Sequence, residues 1–301
     1  MRIVVTGGAG FIGNRLVRKL VDAGHETIVI DSLEAGDAGR IPPGVRLYRL
    51  LVQDRETTTC IACLAPDVVY HLAAQVGVGS SLQAPSEDGE TNVLGTLRVL
   101  DGCRQANSKI VFSSTSAVYG NTSGATRAIR ESRACRPIVP YGLSKWTAEQ
   151  YIRMAGEHRG VRYTILRYAN VYGPGQSARG EGGVVACFLE RSAERLPLVV
   201  HGDGEQSRDF VHVDDIVRAN MAALEAGDGG TYNVSTGKAT SVNRLAGLIE
   251  QLTGRNAGRT YEEARSGDVR MSRLSPKRAW TELSWKATID LKEGLSELIG
   301  R

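Results

Sequence analysis

The sequence predicts an α/β protein built on a doubly wound parallel sheet, with a smaller α/β lobe at its C-terminal end. Three observations predict it. Between residues 2 and 112, short β-branched runs alternate with longer amphipathic ones, the pattern of parallel strands covered by helices on both faces. The first of those runs leads straight into a glycine-rich turn and a helix. Beyond residue 167 the alternation becomes irregular and richer in glycine, and 301 residues suffice for two lobes sharing an interface.

Ile3 to Thr6, Thr27 to Ile30, Arg46 to Leu50, Val68 to His71, Lys109 to Phe112 and Tyr163 to Arg167 read as strands. Phe11 to Ala23, Asp88 to Ala106 and Leu143 to Glu157 read as helices between them, followed by Val184 to Arg195, Asp215 to Ala226 and Val242 to Thr253. The stretch His201 to Arg208 reads as a loop. The expected division is a nucleotide-binding unit of residues 1–166, completed by part of 210–235, and a lobe of residues 167–301. That lobe would lie over the carboxyl ends of the strands, where open α/β sheets bind ligands.

Bulk properties exclude several classes. The net charge of +4 is small and its Lys and Arg residues are scattered, so no nucleic-acid partner is expected. No apolar run approaches the roughly 20 residues that span a bilayer, and Met1 and Arg2 lead directly into a strand; a cytoplasmic protein without a membrane partner is expected. Five cysteines form an odd set that suits a reducing compartment. Cys60 and Cys63 make a CxxC without the second pair of a zinc ribbon, so no metal site is expected.

After the first strand come Gly7, Gly10 and Gly13, with Phe11 and Ile12 opening the helix. Glycines at this spacing permit a tight turn, close approach of backbone to a pyrophosphate, and close packing of helix on sheet, while the helix N-terminus faces the phosphates. The next strand ends at Asp31, eighteen positions after Gly13, near the spacing at which a carboxylate accepts ribose hydroxyls and repels a 2′-phosphate. The combination is a Rossmann-type site for NAD. Further on, Thr115 closes a hydroxyl-rich strand end, and Tyr141 and Lys145 share one helix face. A phenol with a pKa of roughly 10 is a poor base; a nearby ammonium and the positive nicotinamide are expected to bring Tyr141 down.

From these residues the chain resembles the extended short-chain dehydrogenase/reductases, in the nucleotide-sugar epimerase and dehydratase branch. The likeness is carried by TGGAGFIG at 6–13, HLAAQ at 71–75, SSTSAVYG at 113–120, YGLSK at 141–145, RYANVYGP at 167–174, GDGEQSRDFVHVDD at 202–215 and GDVR at 267–270. It implies that Tyr141 takes the sugar O4 proton, that Lys145 holds the cofactor ribose, and that Thr115 hydrogen-bonds O4. It also implies that Leu72, Ala73, Ala74, Gln75 and Tyr168 line the cofactor, and that Asn170, Arg208, Arg265 and Asp268 hold a UDP group.

Related dehydratases carry an Asp-Glu pair beside the threonine, where this chain has Ser116 and Ala117, so the resemblance favours inversion at C4 of a UDP-sugar through a 4-keto intermediate. The loop from Pro174 to Val184 resembles that of glucose/galactose epimerases; relatives acting on glucuronate place an arginine in this neighbourhood for the carboxylate, a role open to Arg179 beside that of a solvent-facing loop cation near Glu181. UDP-glucose/UDP-galactose and UDP-glucuronate/UDP-galacturonate both stay open, the first ahead. A nucleotide-sugar 4-ketoreductase and an inert NAD-binding regulator are the alternatives. Relatives dimerise through helices matching Asp88 to Ala106 and Leu143 to Glu157, which implies a homodimer. One departure is Leu51, where relatives place an adenine-reading aspartate; Asp54 follows three residues later.

Overall fold

The computed structural model describes residues 1–122, 127–178, 182–265 and 267–300. Its first half contains strands β1 (Arg2–Thr6), β2 (Glu26–Asp31), β3 (Arg46–Arg49), β4 (Val68–His71), β5 (Lys109–Thr115) and β6 (Tyr163–Tyr168). The intervening helices are α1 (Phe11–Asp22), α2 (Arg55–Leu64), α3 (Val78–Gln83), α4 (Pro85–Gly89), α5 (Gly95–Ala106) and α6 (Pro140–Arg159). The second half supplies β7 (Asn170–Tyr172), α7 (Val184–Ala193), β8 (Leu198–His201), β9 (Ser207–Arg208), β10 (Phe210–His212), α8 (Val213–Glu225) and β11 (Gly230–Val234). It closes with β12 (Thr240–Ser241), α9 (Val242–Thr253), β13 (Arg259–Glu262), α10 (Lys277–Leu283) and α11 (Leu291–Ile299).

Seven strands form one parallel sheet in the order β11-β6-β5-β4-β1-β2-β3. β1 carries Ile3, Val4 and Val5 without any exposure, which its near-continuous apolar run requires of a strand covered on both faces. The winding reverses between β1 and β4, and the crevice beyond their carboxyl ends is where such a sheet binds ligands. Leu16, Leu20, Ile216 and Val217 of α1 and α8 fill one face; Ile61, Val99, Ala148 and Ile152 of α2, α5 and α6 fill the other.

The C-terminal lobe has its own core, in which Val185, Phe188, Phe210, Leu245, Ile249 and Leu295 meet. Its strands pair in twos, β7 with β10, β8 with β13, and β9 with β12. The stretch expected to be a loop, His201 to Arg208, thus has a strand at either end. Those strands are too short to carry a period that sequence can show.

The helix expected from Asp88 to Ala106 is also divided, with a π-helical turn, Glu90–Leu94, between α4 and α5. The wide turn points Asn92 inward. Its Nδ2 donates to Asp88 Oδ1 at 3.0 Å, to the Gln75 carbonyl at 2.9 Å and to Ser144 Oγ at 3.2 Å, contacts that a regular helix at this point would have to reach differently.

Candidate active site

The glycine turn after β1 has the shape a pyrophosphate needs. Gly7 has φ +72, and a Cβ there would lie 2.6 Å from the Ala73 nitrogen. A Cβ on Gly13 would collide with the Gly7 carbonyl. Gly10 is the N-cap of α1, and no side chain among the described residues caps that helix, so the first-turn amides around Phe11 and Ile12 are available to an anion. Asp31 is 7% exposed; one oxygen accepts from the Ala9 amide and the other from the Leu33 amide, both at 2.9 Å. Each oxygen keeps a lone pair for a ribose hydroxyl, so the residues fit a dinucleotide with a free 2′-OH.

Leu72 to Gln75 lie opposite this turn, pinned by His71, which sequence reasoning passed over. The Ala73 amide donates to Thr6 Oγ1 at 3.3 Å, and Thr96 Oγ1 donates to the Asn92 carbonyl at 2.6 Å. His71 Nε2–H therefore donates to Thr96, at 3.1 Å, and His71 Nδ1 lies 2.8 Å from Thr6 Oγ1. Burial, with Lys145 adding to it, pushes the His71 pKa down to about 3.

β5 ends at Thr115 and α6 begins one residue before Tyr141, which brings the three expected catalytic side chains together. Thr115 Oγ1 accepts from the Ala117 amide at 3.1 Å, and its hydroxyl also faces the Tyr141 phenol. Hydrogen bonding to Thr115 lowers the Tyr141 pKa, but burial outweighs it and Asp88 adds to burial, so the phenol is pushed up to about 12. The expectation that the neighbouring ammonium brings the phenol down is thus not met by the protein's own groups. Lys145 is itself buried, 4.5 Å from the Phe112 ring centre, and desolvation pushes its pKa down to about 7 against the upward pull of Asp88 and Glu149.

Beneath this trio lies a buried charge network. Glu149, one turn beyond Lys145, accepts from Arg167 Nε at 2.8 Å and Nη2 at 2.6 Å, from Ser114 Oγ at 2.6 Å and from Arg153 at 3.0 Å. Arg167 also donates to Tyr119 Oη at 2.8 Å, and Tyr119 donates to Asn233 of β11 at 2.7 Å. The Tyr168 hydroxyl is occupied by Asn220, at 3.0 Å, so this residue can offer a cofactor its backbone and no hydroxyl.

In the second lobe Asn170 is exposed at the start of β7, its amide bonded to the Asp209 carbonyl at 2.9 Å, beside Arg208. Val184 opens α7, half-buried. The two expected diphosphate arginines are close but already engaged: Arg208 with Asp268, and Arg265 with His201 Nε2 at 2.8 Å. Asp268, expected to await a ribose, is a partner of Arg208. A Cβ on Gly267 would lie 2.6 Å from Val139, the N-cap of α6, so this cluster abuts the turn that carries Tyr141. His201 was not anticipated, although it directly precedes the GDGEQSR stretch. Arg179 lies outside the described residues. Leu51 is half-buried with its carbonyl bonded to Thr57 Oγ1 at 2.8 Å, and Asp54 is the N-cap of α2.

The fold and the Thr115, Tyr141, Lys145 arrangement define an extended short-chain dehydrogenase/reductase. The model of the NAD dependent epimerase/dehydratase family matches residues 3–235, and the chain belongs to that family. It is 35% identical to a UDP-glucose 4-epimerase of Mycolicibacterium smegmatis over 99% of this chain and 97% of that one. Among solved structures it is similar to the UDP-glucose 4-epimerase of Thermotoga maritima with UDP-glucose, at TM-score 0.97 and 40% identity, covering 100% and 98% of the two chains. It is also similar to the Thermus thermophilus UDP-glucose 4-epimerase in complex with NAD, at TM-score 0.94 and 36% identity, covering 100% and 98%.

Two outcomes follow from the cradle and the network. Gly13→Ala should yield a folded protein, by circular dichroism, that has lost most of its co-purifying NAD when the cofactor is released with acid and quantified; full retention would mean the turn tolerates the methyl. Glu149→Leu strands a buried guanidinium and should cost about 3 to 5 kcal/mol in urea unfolding. The double variant Glu149→Leu/Arg167→Met should recover much of that loss, and if it recovers none the ion pair is not its source.

Proposed function

We propose that this protein interconverts UDP-glucose and UDP-galactose by NAD-dependent epimerisation at C4. The observation that carries the reading is a complete Thr115, Tyr141, Lys145 set with Ser116 and Ala117 beside it, which leaves one acid-base group where loss of water would need two more. Epimerisation needs only one. Tyr141 takes the O4 proton, Thr115 donates to O4 and holds it beside the phenol, and Lys145 binds the cofactor ribose. When bound, oxidised NAD supplies a hydride acceptor for C4 and a positive ring beside the phenol. Rotation of the 4-keto sugar in the pocket presents its other face before the hydride returns.

Arg208, Arg265, Asp268 and Asn170 hold the UDP group in this reading. A diphosphate would take over the guanidinium bonds that Asp268 and His201 now occupy, which frees the Asp268 carboxylate for a ribose hydroxyl. The described parts of the loop that follows β7, residues 174–178 and Val184, border the sugar in this reading. The glucuronate alternative turns on Arg179, which lies outside the described residues. Residues 1–166 with part of 210–235 serve as the cofactor unit and 167–301 as the sugar-nucleotide unit.

A homodimer through α5 and α6 belongs to the same proposal, as does a cytoplasmic location. Leu143, Tyr151 and Met154 stand 50%, 42% and 53% exposed on α6, at the spacing of one helical face. No helix among the described residues is long and apolar enough to cross a membrane.

The protein as purified, given UDP-glucose and no added cofactor, is expected to form UDP-galactose; a strict need for added reduced cofactor would make it a 4-ketoreductase. Tyr141→Phe should keep NAD and UDP binding while lowering kcat by at least about 10² to 10⁴, and near-native turnover would place the base elsewhere. Light scattering at micromolar concentration should give twice the chain mass, and Tyr151→Glu with Met154→Glu should halve it; a wild-type monomer would remove the dimer.

A further inference from the structure

The segment that leaves β7 turns at Gly173, Pro174 and Gly175, with φ +148 at the first and +90 at the third. Behind it lies a cavity of about 330 Å³, bordered by Gly173, Gly175, Gln176, Ala186, Leu189 and Leu298. Besides the Gln176 side chain, which donates to the Val171 carbonyl at 3.0 Å, two guanidinium groups hold the turn's carbonyls.

Arg15, on α1, donates from Nε to the Pro174 carbonyl at 3.3 Å and from Nη1 to Asp214 Oδ1 at 2.5 Å. Arg40 ends a 3₁₀ turn, Ala38–Arg40, and donates from Nη1 to the Gly175 carbonyl at 3.0 Å. Its own carbonyl accepts from Arg18 at 2.7 Å, and its guanidinium lies 3.7 Å from Asp37.

Both arginines are rooted in the cofactor cradle. α1 starts at Gly10, and the 3₁₀ turn hangs from the glycine loop because the Asp37 amide donates to the Ala9 carbonyl at 3.2 Å. Gly36 passes so close to Asp31 that a Cβ there would lie 2.8 Å from its carboxylate. A dinucleotide engaging Asp31 and the amides around Gly10 therefore restricts the same residues that position Arg15 and Arg40.

We infer that Arg40, with Arg15, is a positioning residue that couples the cofactor cradle to the turn at residues 173–178, so that a filled cradle holds the sugar-nucleotide loop in place. This rests on the proposed reading of residues 174–178 as bordering the sugar. Neither arginine touches the reacting atoms. Coupling of this kind is reciprocal, so a bound UDP-sugar tightens the hold on NAD by the same factor. Arg40 is the cleaner handle, since its side chain is 40% exposed and its loss opens no hole in the core.

The test compares wild type and Arg40→Ala, both NAD-loaded, with NAD-stripped wild type as reference. Amide exchange over residues 173–178 should be slow in loaded wild type and fast in stripped wild type and in loaded Arg40→Ala, with β1 and β4 unchanged. With UDP-glucose as substrate, KM should rise about five- to twentyfold in the variant, within the usual range of coupling between sites, with kcat unchanged. Arg40→Lys, which keeps the charge and loses the fork, should fall between. Equal exchange in loaded wild type and variant overturns the clasp, and faster exchange with an unchanged KM overturns its coupling to substrate. If wild type turns over no UDP-glucose, the proposed function fails. UDP binding by calorimetry, expected to weaken by the same factor in Arg40→Ala, then decides the inference with the exchange data.

Discussion

The Glu149 carboxylate, fully buried and gripped on both oxygens by Arg167, is the constraint on which the geometry of the reacting end depends. It ties α6 to β6 through the guanidinium and to β5 through Ser114, the residue before Thr115. Lys145 lies one helical turn earlier on the same face. Buried ion pairs often stabilise no more than apolar residues of the same volume would. What this one does is define the relative position of a strand end and a helix face, with Tyr119 and Asn233 extending the same restraint to β11.

The side chains above that platform are tuned in opposite directions by a common cause. Burial lowers the Lys145 ammonium and raises the Tyr141 phenol, so in the protein alone the phenol keeps its proton. In the proposed mechanism the charge that releases it arrives with the cofactor. His71 shows the complementary use of burial: it is held neutral between Thr6 at the end of β1 and Thr96 of α5.

How much of this could be read from sequence depended on how local each feature is. β1, the glycine turn and α1 form a continuous local unit, and α9 was placed to the residue because Ser241 caps one end and Gly254, at φ +64, terminates the other. Thr115, Tyr141 and Lys145 needed only a strand end and an i, i+4 face. Glu149 sits at the next i+4 step and could have been reached by the same spacing, but its value lies in Arg167, whose arrival is tertiary. The partners of Arg208 and Arg265 were equally illegible, since Asp268 and His201 reach them from other segments of the lobe. β11 was anticipated only as part of a returning segment. Its five residues follow Gly227 and Gly229, and its partner strand lies far back in the chain.

That distance bears on synthesis. β6 ends at Tyr168 and waits for Gly230–Val234 before its second edge is paired. At about 5 to 20 residues per second on the ribosome, the wait lasts several seconds, during which a nearly complete sheet presents an open ladder of amides and carbonyls. Such an edge is a template for pairing with a neighbouring nascent chain. Arg153 and Tyr119, the hydroxyl partner of Arg167, gain their last bonds only when β11 arrives with Thr231 and Asn233. The last strand to join the sheet therefore closes both the exposed edge and the polar network beneath the reacting site.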